Sequence, residues 1–86
     1  MSDYNALLRE HARIAILRFL EGAPRYTSNV SMLASALPRV GISYTRAQVV
    51  TEMAWLDEQG MVPTQTNGDF VIVTATTRGV EIAQGI

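Results

Sequence analysis

The chain has 86 residues, a formal net charge of −1, 48% hydrophobic residues and no cysteine. That length holds one domain whose folding buries roughly 60% of the unfolded surface, so the core is thin. The lack of cysteine excludes disulfides and thiolate metal sites, and seven arginines without a lysine, balanced by eight acids, argue against strong nonspecific DNA binding.

The N-terminal stretch MSDYNALLRE lacks the basic-then-apolar order of a signal peptide. No uncharged apolar run approaches the ~20 residues of a membrane span. A soluble, cytoplasmic protein is expected. So high an apolar content on so small a core leaves apolar surface for a partner, and a second copy of the chain is the expected one.

Residues 3–21 predict the first helix, with Asp3 as N-cap or first-turn acid. Leu8, Ala12, Ala15, Ile16, Phe19 and Leu20 recur at helical spacing and form one stripe; Leu7, Ile14 and Leu17 form a second. The first stripe is assigned to the core and the second to a homodimer contact, with Val80 near the C-terminus joining it. Arg9, Glu10 and Arg13 fill the remaining surface, and His11 is expected to be half-buried and hydrogen-bonded. Gly22 and Pro24 end the helix, and the connection GAPRYTS folds Tyr26 back on the core.

Asn29 is a good N-cap for a second helix whose buried stripe is Val30, Leu33, Ala34 and Leu37. Pro38 ends it at Leu37 or lets it run kinked to Val40, and Gly41 is the break. After the turn Ile42-Ser43-Tyr44, a third helix starts at Thr45, where Thr45 and Gln48 fit a capping box. Val49, Met53 and Leu56 make its core stripe, supported by Val50 or Ala54, and Gly60 stops it.

Residues 61–66 predict an edge strand, the edge being favoured by Pro63. Asn67-Gly68 is a type I′ hairpin signal, and residues 69–74 are the return strand. Phe70 and Ile72 point to one face, Val71 and Val73 to the other. Thr76 caps a last helix that reaches Gln84 before Gly85. The fold class is therefore mainly α with a small β-hairpin: a winged helix-turn-helix, with three bundled helices, a two-stranded wing and a short C-terminal helix.

In such a fold the N-terminal part of the third helix enters the major groove. Arg46 then reaches guanine or phosphate, Gln48 adenine, and Thr51 allows close approach; Arg39, Tyr44 and Arg78 are the remaining candidate DNA contacts. Against this, one basic residue between Arg46 and Asp69 faces four acids (Glu52, Asp57, Glu58 and Asp69), a local charge of −3. The rival reading makes Glu52 and Trp55 a protein-binding face. The wing tip, Gln65 to Gly68, carries no cation of the kind a groove-binding wing uses. No nucleophile–base set, phosphate loop or metal-ligand cluster is present, so neither catalysis, a cofactor nor a metal is expected.

Three blocks carry a resemblance that spans nearly the whole chain: AILRFLEGAPRYTSN, TRAQVVTEMAWLDEQGMV and VIVTATTRGVEIAQG. They resemble small winged-helix proteins of Mu-like phages and prophages, also labelled ArsR-like, with AWLxEQGxV and TxRGxxxAxG the most specific parts. The resemblance implies the winged-helix fold and a phage setting. The cysteines of metal-sensing ArsR proteins are absent, so metal sensing is not carried over, nor is the role of the Pro-rich basic tail that members often bear after A-x-G. The reading that follows is a phage-type winged-helix DNA-binding regulator acting as a homodimer. The alternative is a protein-interaction module serving phage replication or morphogenesis without binding DNA.

Overall fold

The computed structural model describes residues 2–68 and 70–85. In chain order it contains α1 (Ser2–Glu21), β1 (Thr27–Asn29), α2 (Val30–Ala36), α3 (Arg46–Glu58), β2 (Thr64–Asn67), β3 (Phe70–Thr74) and α4 (Thr77–Gln84), with short 3-10 turns at Pro24–Tyr26 and Leu37–Val40. The molecule is mainly helical with a small antiparallel sheet. No helix among the described residues is long and apolar enough to cross a membrane.

The helix boundaries follow the capping signals. The Asn29 side chain accepts from the Met32 N–H at 2.8 Å, and α2 gives way to the 3-10 turn at Leu37 because Pro38 cannot continue an α-helix. Thr45 and Gln48 form the reciprocal capping box. At the other end of α3, Gly60 adopts φ +72°. The Gly60 N–H donates to Asp57 O and the Met61 N–H to Leu56 O, which pairs carbonyls that the helix end would leave open.

Inside lie Ala12, Ile16, Leu17 and Leu20 of α1, Val30 and Leu33 of α2, Val49, Met53 and Leu56 of α3, together with Leu37, Val62 and Val73. Each fully buried aliphatic side chain contributes roughly 1.5–3 kcal/mol, so this cluster dominates the favourable side of folding. The division of α1 into two stripes needs correction. Leu17 is 1% exposed and belongs to the core, whereas Leu7 is 52% exposed and Phe19 half-buried. Val50 and Ala54 are exposed and do not support the α3 stripe, and His11 is exposed as well.

The sheet has three strands rather than two, in the order β1-β3-β2. Thr27, Ser28 and Asn29 pair with Thr74, Val73 and Ile72. This strand has no apolar alternation to announce it; it forms because β3 offers it a free edge. β2 is an edge strand, as Pro63 implied, but starts at Thr64, while Met61 and Val62 are buried ahead of it. Asn67 pairs with Phe70 and is the last residue of β2 rather than a turn residue. Asp69, placed in the return strand by its sequence, lies outside the described residues.

Tyr26 does not pack on the core; it is 44% exposed. Arg25 and Tyr26 hold consecutive left-handed φ values of 57° and 56°. Such backbone costs a non-glycine residue about 1–2 kcal/mol, and hydrogen bonds hold it: the Tyr26 N–H donates to Ala23 O at 3.0 Å, and the Thr27 hydroxyl to Arg25 O and the Ala75 N–H to Tyr26 O, each at 2.9 Å.

Candidate functional site

The first two turns of α3 present Arg46, Gln48 and Thr51, all exposed. Each is already tied down. The Gln48 Oε1 accepts from the Thr45 N–H at 2.8 Å. The cap occupies one of the two lone pairs of that oxygen, so in the capped state Gln48 has its NH2 donors and one remaining lone pair to offer. Its NH2 group suits acceptors such as guanine N7 and O6, and the bidentate adenine pair expected from the sequence requires that oxygen to be shared with the cap or the cap to open. The Thr51 hydroxyl donates back to Ala47 O at 3.1 Å, leaving its methyl and lone pairs outward. The Arg46 Nε approaches Ser31 Oγ at 3.4 Å and so bridges α3 to the first turn of α2.

Glu52 is where sequence and structure part most clearly. It is 3% exposed, not on the outer face. The Arg9 Nε donates to Glu52 Oε2 at 3.0 Å and the Arg13 Nε to Glu52 Oε1 at 2.7 Å. Arg13 also places its guanidinium 3.8 Å from the centre of the Trp55 ring, a cation–π stack on a half-buried indole. Glu52 is therefore not on an open face, since it lies beneath two arginines, while Trp55 is half-buried with Arg13 over its ring. Two guanidinium groups against one carboxylate leave this cluster positive.

By their spacing alone Arg9 and Arg13 fall on the solvated remainder of the first helix. Nothing local links them to Glu52, which is 43 and 39 residues away. One signal was present: Glu52 stands three residues after Val49 and four before Leu56, on the same helical stripe as both.

Tyr44, Gln48 and Thr51 come together with Asn5, Leu8, Arg9 and Glu52 around an open groove of about 490 Å³ between the start of α1 and α3. Burial pushes the Tyr44 hydroxyl above its ordinary pKa of 10.0, with the Glu52 charge adding to the rise and Arg9 and Arg13 opposing it. At neutral pH this phenol is thus an uncharged donor. Arg39 lies outside the groove, exposed on the turn after α2, and Arg78 is exposed in the first turn of α4. That turn is anchored to the far end of α3 by the Thr76 hydroxyl, which donates to Gly60 O at 2.8 Å.

The four residues assigned to a dimer contact also separate. Leu17 and Val80 are buried within the chain, at 1% and 8% exposure, and are unavailable to a partner. Leu7 and Ile14 line an open groove on the other side of α1.

No protein-family model matches the chain. The chain is similar to the uncharacterized protein gp26 of Escherichia phage Mu, with 35% identity over 81 residues that cover 94% of this chain and 83% of that protein. It is also similar to an uncharacterized protein of Haemophilus influenzae, at 29% identity over 76 residues, covering 88% and 74% of the two.

Proposed function

Starting from a chain that belongs to the family of phage Mu gp26, we propose that it is a winged-helix DNA-binding protein, a transcription regulator of the Mu-like phage type that works as a homodimer. In this reading α2 and α3 are the helix-turn-helix, β2 and β3 the wing, and the first turns of α3 enter the major groove. Arg46 and the Gln48 NH2 group meet base-edge acceptors. Thr51 permits close approach. Tyr44, Arg39 and Arg78 meet the backbone, joined by Arg9 at the rim of the groove between α1 and α3.

The observation that carries the reading is the inward turn of Glu52. The sequence places this acid on the groove-facing side, where it repels phosphate. With Glu52 under Arg9 and Arg13, no acid is exposed between Thr45 and Trp55. Asp57 and Glu58, both exposed, lie at the helix end, away from the groove-entering turns.

The test is fluorescence anisotropy on duplex fragments from the regulatory regions of a Mu-like prophage, repeated across a salt series. The expected result is binding that weakens as salt rises. Arg46→Ala should reduce affinity for the preferred duplex by roughly 5- to 150-fold if Arg46 reads a base, or lower the salt slope by about 1 if it meets a phosphate. No salt-dependent binding to any fragment at low ionic strength would overturn the proposal.

A further inference from the structure

We propose that the outward face of α1 is a self-association surface on which a second copy lays its own α1 antiparallel, about a two-fold axis at Ile14. This deepens the homodimer reading above and rests on it, while naming the surface and the pairing. The face is the wall of an open groove of about 690 Å³ between α1 and residues 37–42, with Leu7, His11, Ile14 and Phe19 on one side and Val40 and Ile42 on the other. Leu7 and Val40 remain 52% and 55% exposed, so apolar surface is left open along its length.

Charge decides which occupant fits. Glu10 and Arg18 border the same groove, and neither side chain makes an ion pair or hydrogen bond among the described residues. Each stands four residues from Ile14, one on either side. At 1.5 Å per residue that is about 6 Å along the helix in each direction. A two-fold axis through Ile14 reverses the second helix and sets Glu10 opposite the partner's Arg18, and Arg18 opposite the partner's Glu10. In such an interface residue i meets j and j meets i, so one helix satisfies both pairs. A parallel arrangement would set like charges against each other and is disfavoured. The face is complementary to its own reverse.

Sedimentation equilibrium on the intact chain tests this with charge reversals at positions whose side chains face the groove. The wild type should be a dimer. Glu10→Arg and Arg18→Glu singly should each weaken dimerisation by roughly tenfold or more, since two symmetry-related pairs become repulsive. The double reversal E10R/R18E should restore it, which a merely structural role for either residue would not do. Circular dichroism checks that each variant keeps the fold. A wild type that stays monomeric at millimolar concentration, or single reversals that dimerise as the wild type does, would overturn the proposal. DNA binding is read separately: a dimer that obeys the charge reversals but binds no duplex would sink the DNA reading and leave this interface standing.

Discussion

Glu52 shows how one residue changes the meaning of a surface. On a helical wheel it shares the stripe of Val49 and Leu56, yet its charge assigns it to solvent. The conflict is resolved 43 residues away, where Arg9 and Arg13, one helical turn apart, reach over it. Arg13 is only 17% exposed, so removing its counter-charge leaves a guanidinium with little water to replace it. Glu52→Gln keeps the shape and one acceptor but loses the charge. It is expected to lower stability by about 2–3 kcal/mol, toward the low end for breaking a buried pair because Arg9 remains half in solvent. In a domain of this size that is a fall of roughly 10–20 °C in Tm. Thermal melts followed by circular dichroism check it, and a change of a degree or two would mean that Glu52 is not held as described.

Among elements, α4 shows a motif acquiring a physical cause. The T-x-R-G step is visible in the sequence as Thr76 to Gly79, and Thr76 was legible as an N-cap because its side chain has one obvious acceptor role. The cap is real: Thr76 Oγ1 accepts from the Gly79 N–H at 3.2 Å. The reason for glycine was not legible, because it comes from elsewhere in the chain. A Cβ at position 79 would sit 2.5 Å from the Met61 carbonyl oxygen and 3.3 Å from a Leu17 methyl. The Thr76 N–H also donates to that same Met61 oxygen, at 2.8 Å, so the carbonyl is pinned and cannot yield. Gly79→Ala is therefore expected to destabilise by about 2 kcal/mol, through backbone overlap of the overpacking kind. At an open helical site the same change gains up to about 1 kcal/mol. Urea unfolding reads the sign directly, and a stabilised variant would refute the close approach. β1 is the opposite case. Thr27 to Asn29 carry no pattern of their own, and Asn29 reads as a cap because it is one, so its second role as the last residue of a strand stayed hidden.

At the scale of the whole molecule, the two unequal faces of α1 matter most. One face, with Ala12, Ile16, Leu17 and Leu20, closes the core; the other leaves Leu7 and Ile14 on an open groove. If a second copy covers that groove, folding and association are linked, and the melting temperature becomes dependent on protein concentration. Tm should rise steadily over a hundredfold increase in concentration in the wild type and lose that dependence in Glu10→Arg; scanning fluorimetry on a dilution series measures both. The sequence by itself determined the four helices, most of their caps and breaks, and the two strands of the hairpin, because those depend on neighbours within one turn or one hairpin. The tertiary structure alone decided which apolar stripe of α1 is core, that β3 takes a third strand, and that the acid at the middle of α3 is turned inward and paired. Those outcomes depend on groups far apart in the chain, and a helix signals by its spacing that two faces differ without signalling what will come to lie against each.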